Sequence, residues 1–190
     1  MDSISLQGDS AAKQEMETIY QFENDTLSPA ALRAFEVRAA QMLQDVADYI
    51  QLLSDPSIEH SFKIQAKQMM LDVFTEPGNT VDFSASANEQ SLKMEIGQFA
   101  DSLLTGRLPV VKIELKNVQP SQNLQFTRHK IYEGQLTFQQ TTYRIYKPGN
   151  IRLNGYRMKA DITLKRVTKE FGSTTKDVWK VFLGNIERTD

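Results

Sequence analysis

Two histidines and no cysteines limit the chemistry open to this 190-residue chain. Without cysteine there are no disulfides, no thiolate zinc sites and no sulfur nucleophiles. No Glu-x-x-His or His-x-x-x-His spacing occurs, and the nine glycines are scattered rather than gathered into a phosphate-cradling loop, so neither a metal nor a cofactor is expected. For acid–base work there remain His129 and Glu133. His129 shares strand parity with Thr127 and Ile131; alternation alone leaves open whether that face lines a pocket or is an ordinary sheet surface. Glu133 precedes Gly134, whose break in the pattern leaves the direction of the carboxylate undecided. Glu114 and Asp161 fall on the polar parity of their strands among lysines and arginines, which places them outside the core as ion-pair partners. His60 lies off the apolar stripe of its helix and is expected to face solvent.

Aromatic side chains offer a second kind of chemistry. Tyr132, Tyr143, Tyr156 and Trp179 all fall in the second half of the chain, where amphipathic rings could hold an apolar or ring-shaped ligand while their polar atoms orient it. Aromatics are also common in strands for packing reasons alone. Gly184, inside the last strand, is read as a bulge or a close approach of ligand or chain, and Gly97, inside the third helix, is similarly suggestive.

The elements that must position these residues change character once, near Gly106. Before it, apolar residues recur at helical spacing; after it, they alternate at strand spacing. Residues 1–27 are weakly patterned and are expected to form an arm, with a short amphipathic stretch around Met16, Ile19, Tyr20 and Phe22. Ser28-Pro29 reads as an N-cap followed by proline at the first helical position. Leu32, Phe35, Ala39, Met42, Val46, Tyr49 and Leu53 then form one stripe over 29–53, closed by Ser54-Asp55-Pro56. A second helix is predicted over 58–75 with Ile58, Phe62, Ala66, Met69 and Val73 facing the core, and Glu76-Pro77-Gly78-Asn79 as the turn after it. Val81 to Phe83 reads as a short extended piece, and a third helix is predicted from about Ala87 to Thr105, capped by Gly106.

In the strand half, Val111, Ile113 and Leu115 alternate with Lys112, Glu114 and Lys116. Residues 123–146 read as two antiparallel strands with a turn or bulge near Glu133-Gly134, or as one long bent strand. Tyr156, Met158, Ala160, Ile162 and Leu164 make the clearest strand, with Asn154-Gly155 before it as a hairpin-type turn. Phe171-Gly172-Ser173 turns the chain into a last strand over 176–187. Alternation of this kind belongs to antiparallel strands with one wet face. The expected fold class is therefore α+β: three N-terminal helices packed on a strongly curved antiparallel sheet, in a single domain over 28–190.

Charge divides along the same line. Residues 1–106 carry 6 Lys+Arg and 17 Asp+Glu, residues 107–190 carry 16 and 7, and the net charge is −2. The basic residues of the strand half alternate with core residues, which is the solvated face of a sheet rather than a nucleic-acid groove with interleaved exposed aromatics. Acidic helices and a basic sheet attract each other, within one fold, between subunits or toward another protein. No apolar run reaches the roughly 20 residues of a membrane span. Met1–Ala12 lacks a basic start followed by an apolar core, so no signal peptide is expected in this chain; a trimmed exported form and the compartment stay open.

Three helices followed by long antiparallel strands, the helix exit Phe99…Leu103-Leu104-Thr105-Gly106 and the aromatic last strand around Trp179 resemble the nuclear transport factor two-like (cystatin-like α+β cone) superfamily, over about residues 29–188. The resemblance implies a cone whose sheet and helices enclose a pocket, in a family that includes isomerases, dehydratases, non-catalytic ligand-binding domains and dimerising interaction modules. Fold analogy does not choose among these. The reading favoured here is a non-catalytic module that binds a small apolar ligand or a protein partner, with a homodimer through the outer sheet face. The alternative is a cofactor-independent isomerase or dehydratase using His129 or Glu133 with a tyrosine hydroxyl.

Overall fold

The computed structural model describes residues 26–82, 93–109, 111–145, 150–172 and 174–189. The expected pieces of the arm before Asp25 and of the third helix before Lys93, together with Phe83, lie outside them. In chain order the elements are α1 (Pro29–Ser54), α2 (His60–Leu71), β1 (Thr80–Asp82), β2 (Lys93–Glu95), α3 (Ile96–Leu104), β3 (Val111–Phe126), β4 (Tyr132–Ile145), β5 (Asn150–Phe171) and β6 (Thr174–Arg188). The strands form one curved, open sheet in the order β2-β1-β6-β5-β4-β3, with the helices on one face. The fold is α+β and cone-like, as the pattern implies. One expectation is corrected: the sheet is mixed, because β1 pairs with β6 in parallel through Val81 and Ile186. A parallel pair needs a long crossover, and here the whole of α3 and β2–β5 intervenes between the two strands.

α1 begins as its sequence predicts. Ser28 is extended and its hydroxyl accepts the Ala31 N–H, while Pro29 loses no hydrogen bond at the first helical position. The helix buries Ala39, Met42, Leu43, Val46, Ile50 and Leu53 against the sheet. At its N-terminal end the buried Glu36 accepts the Leu124 N–H (2.8 Å) and an Asn123 Nδ2–H (3.4 Å); at its C-terminal end the Ser54 hydroxyl lies 3.3 Å from both the N and the O of Val111. The helix is thus fastened along the length of β3 by polar contacts that the apolar stripe does not announce.

α2 is shorter and rotated relative to its expected facing. It buries Lys63, Ala66 and Met70, and leaves Phe62 and Met69 exposed at 62% and 46%. In this orientation Lys67 on the same helix pairs with Asp101 of α3. α3 starts at Ile96, where the Ile96 N–H is taken by the Asn79 carbonyl, and Lys93–Glu95 before it are extended because they pair with β1. Its buried face, Ile96, Phe99, Ala100 and Leu103, and its left-handed C-terminal glycine, Gly106 at φ 70°, follow the pattern.

The inward residues of β5 are those the alternation selects: Met158, Ala160, Ile162 and Leu164 are buried. Two turns stand elsewhere than expected. The β3–β4 turn is at residues 127–131, closed by Thr127 and Ile131, with Lys130 at φ 59°; Glu133-Gly134 lies inside β4. Asn154-Gly155 lies inside β5, with Gly155 opposite Thr141 beside a register shift. Glycine in these strands marks irregular pairing rather than reversal. A Cβ on Gly134 would come within 2.9 Å of the Gln122 carbonyl, and one on Gly184 within 3.0 Å of Asp161 Cβ, both where neighbouring strands slip register. The reading of Gly184 as a bulge therefore stands.

Candidate functional site

Along β6 the side chains of Trp179, Val181 and Leu183 turn toward the helices. Among the described residues, that strand is the edge of the sheet from Thr174 to Phe182, since β1 pairs with it near Ile186 and Phe74 bridges to Leu183. Between this edge and the helices opens a cleft of about 460 Å³. Phe35, Met42, Tyr49, Met69, Trp179 and Val181 give it apolar walls, and Arg38, Asp45, Asp72, Lys169 and Lys180 supply its charges.

Trp179 is the central residue. Its side chain is 6% exposed; Tyr132 meets it edge-on at 5.4 Å between centroids, and the Arg166 guanidinium lies 5.2 Å from its ring centroid. Indole Nε1–H can only donate, and among the described residues it has no acceptor. Tyr132 is held in turn by its hydroxyl, which accepts the Leu27 N–H at 2.8 Å, and by Phe126 edge-on at 5.0 Å. The charges of the cleft are partly answered: Arg38 pairs with Asp45 at 3.8 Å, and Lys180 reaches round the sheet edge to the Asp72 carbonyl while resting on the Phe182 ring. Burial first, and then the carboxylate of Asp45, push the Tyr49 phenol above its ordinary value. A phenol so placed stays protonated at neutral pH and acts as a hydrogen-bond donor, not a base.

The other residues singled out from the sequence lie apart. Tyr143 is on the opposite face of the sheet, where its hydroxyl bonds Glu114 at 3.2 Å. Glu114 pairs with Lys112 there, and those hydrogen bonds hold its carboxyl below the usual range. Tyr156 is on the helix-facing side but toward the far end of the strands, under the Arg188 guanidinium at 3.5 Å from its centroid. Of the four aromatics, the structure brings together Tyr132 and Trp179. His129 is exposed in the β3–β4 turn rather than on a strand, and His60 is exposed on α2. Glu133 is exposed and borders a polar trough of about 420 Å³ on the outer sheet face, with Asp161, Gln135, Thr163 and Asn185. Among the described residues no group of three or more His, Asp or Glu side chains is arranged to hold a metal ion. No helix among them is long and apolar enough to cross a membrane.

Sequence reading missed Glu36, Arg38, Asp45 and Tyr49 as cleft or anchoring residues. Arg38 and Asp45, seven residues apart on one side of α1, read as an ordinary polar border, and Tyr49 reads as one more member of the apolar stripe.

No family model and no curated protein matches the sequence. Among solved structures, naphthalene 1,2-dioxygenase with indole bound in the active site aligns over 98% of this chain and 95% of that one, at 18% identity and a TM-score of 0.38. That likeness is too slight to bear on fold or function.

Proposed function

We propose that this protein is a non-catalytic binding domain that holds a small, largely apolar ligand in the cleft between α1, α2 and β6. The observation that carries the reading is Trp179: a buried indole N–H without an acceptor among the described residues, at the wall of an apolar-sided cleft. A ligand bearing a carbonyl, ether or carboxylate oxygen would meet that donor, with the ring behind it held by Tyr132. The interior of the cone supports the same reading. It is filled by Leu136, Phe138, Met158, Ile162 and Leu164, so the binding volume lies at the rim. An enzyme needs an ionisable group tuned for proton transfer at its pocket; the cleft instead presents a phenol that stays protonated. We include in this proposal a single domain over 28–190 and kinship with the cone superfamily that the element order implies.

Trp179 is the chain's sole tryptophan, which makes it a reporter on its own cleft. Titration with anilinonaphthalene sulfonate, an apolar aromatic anion, is expected to show saturable binding with a shift in tryptophan emission. Trp179→Phe keeps the apolar wall and removes the donor, so dye fluorescence should report affinity lower by about fivefold, the loss of one hydrogen bond of about 1 kcal/mol. Unsaturable binding, or a Trp179→Phe affinity equal to wild type, rejects the cleft. Any turnover abolished by His129→Ala or Glu133→Gln would favour the enzyme reading instead.

A further inference from the structure

The rotation of α2 leaves a second apolar surface. Adjoining the cleft, and sharing Tyr49 and Met69 with it, a groove of about 550 Å³ runs between α1 and α2, lined by Tyr49, Leu52, Ile58, Phe62, Ala66 and Met69. Phe62 is 62% exposed, Met69 46% and Leu52 38%. Large exposed apolar side chains gathered in one groove mark an interaction surface rather than ordinary solvent exposure. The groove follows α2 from Phe62 to Met69, about 10 Å or two helical turns, and continues to Ile58 ahead of the helix.

Its border is acidic: Glu59 lines it, and Asp48 and Asp55 lie beside it around Leu52 and Ile58. Residues 39–62 contain Asp45, Asp48, Asp55 and Glu59, and no lysine or arginine. Asp48 is met by the Gln44 amide, Asp55 by the Ser57 N–H and hydroxyl, and Glu59 by the Ser61 hydroxyl, none of which carries charge. Of the α2 lysines, Lys67 pairs with Asp101, and Lys63 is buried with its charge felt by Asp55, so three carboxylates stand against one lysine and the border stays net acidic. These facts choose among occupants. A second copy docked by a two-fold axis would bring two acidic rims together. An anionic membrane surface would be repelled in the same way.

We propose that the α1–α2 groove receives an amphipathic helix of a protein partner, its apolar stripe against Phe62, Leu52 and Met69 and its lysines or arginines toward Asp48, Asp55 and Glu59. A helix lying between two others completes a three-helix packing and covers the groove along its length. The groove shares Tyr49 and Met69 with the cleft beside β6, whereas Phe62 and Leu52 do not line that cleft.

The test uses the full chain and a labelled synthetic helix with leucine at every third and fourth position and lysine elsewhere, with a leucine/glutamate peptide of the same pattern as control. Fluorescence anisotropy is expected to show binding of the lysine peptide, weakened by salt and lowered at least about tenfold by Phe62→Ser, as for an anchor at the centre of an interface. Leu52→Ser should weaken it in the same direction. Both side chains are more than a third exposed, so circular dichroism melts should match wild type, and neither residue lines the ligand cleft. The proposal is overturned by equal binding of the glutamate peptide, by no binding of either peptide, or by affinity unchanged in Phe62→Ser. A wild-type dimer in sedimentation that Phe62→Ser dissociates would also overturn it, since a second copy would then be the occupant.

Discussion

Glu36 shows how much a single polar side chain contributes to this architecture. It stands at 5% exposure on an otherwise apolar face of α1 and caps the Leu124 N–H of β3. That N–H lies where β3 slips register against β4, so its ladder position is irregular and the carboxylate supplies the acceptor. Glu36→Ala leaves a buried donor unpaired and is expected to cost about 1–3 kcal/mol, read as a lower midpoint in urea unfolding. Glu36→Gln keeps an acceptor oxygen and should lose less. Equal midpoints for Glu36→Ala and wild type would show that the contact adds nothing. No periodicity argument finds such a residue: a glutamate within an apolar stripe reads as a border position until its partner strand is in place.

At the level of elements, glycine has two meanings here and they make opposite predictions. Gly134→Ala drives a Cβ against a backbone carbonyl and should destabilise by about 1–3 kcal/mol, whereas Gly97 in the first turn of α3 has open space around it, so Gly97→Ala should stabilise by roughly 0.5–1 kcal/mol. Thermal melts of the two variants moving in the same direction would contradict this assignment. The same distinction explains which elements were legible in the sequence. α1, α3's buried face, the alternation of β5 and the turn at Gly172 follow from spacing and punctuation. The β3–β4 turn does not, because Thr127-Arg128-His129-Lys130 contains neither glycine nor proline and Lys130 takes the left-handed conformation itself. The glycines that suggested turns at 134 and 155 serve close strand approach instead. α2 is turned by about one residue step around its axis from the facing its spacing implies, because Phe62 and Met69 point outward and composition cannot tell a buried apolar face from an exposed one. Trp179 was found by residue type, but the cleft beside it depends on where the sheet edge meets α1, which one-dimensional pattern does not contain.

For the whole molecule, partly exposed carboxylates join elements that are far apart in the chain. One of them, Glu187, accepts from Lys93 of β2 and Lys159 of β5, linking the short edge strands to the long sheet. The Lys93 bond, seconded by Lys159, holds its carboxyl below the ordinary value against the opposing effect of part-burial. A lowered folded value means that the stabilisation is present above the ordinary carboxylate range and is lost as pH falls through the folded value. With both partners partly solvated, the contribution is expected to stay below about 1 kcal/mol. The melting temperature should therefore drop on acidification, and drop less in Glu187→Gln. Identical pH profiles for the two proteins would remove Glu187 from the account.

The parallel pairing of β1 with β6 also constrains how the chain is made. Val81 finds Ile186, and the Thr75 N–H and hydroxyl both find the Leu183 carbonyl, only at the far end of the sequence. The helices leave the ribosome first, with apolar faces whose partners are still untranslated. Closure of the edge beside the Trp179 cleft waits until residue 186 has emerged.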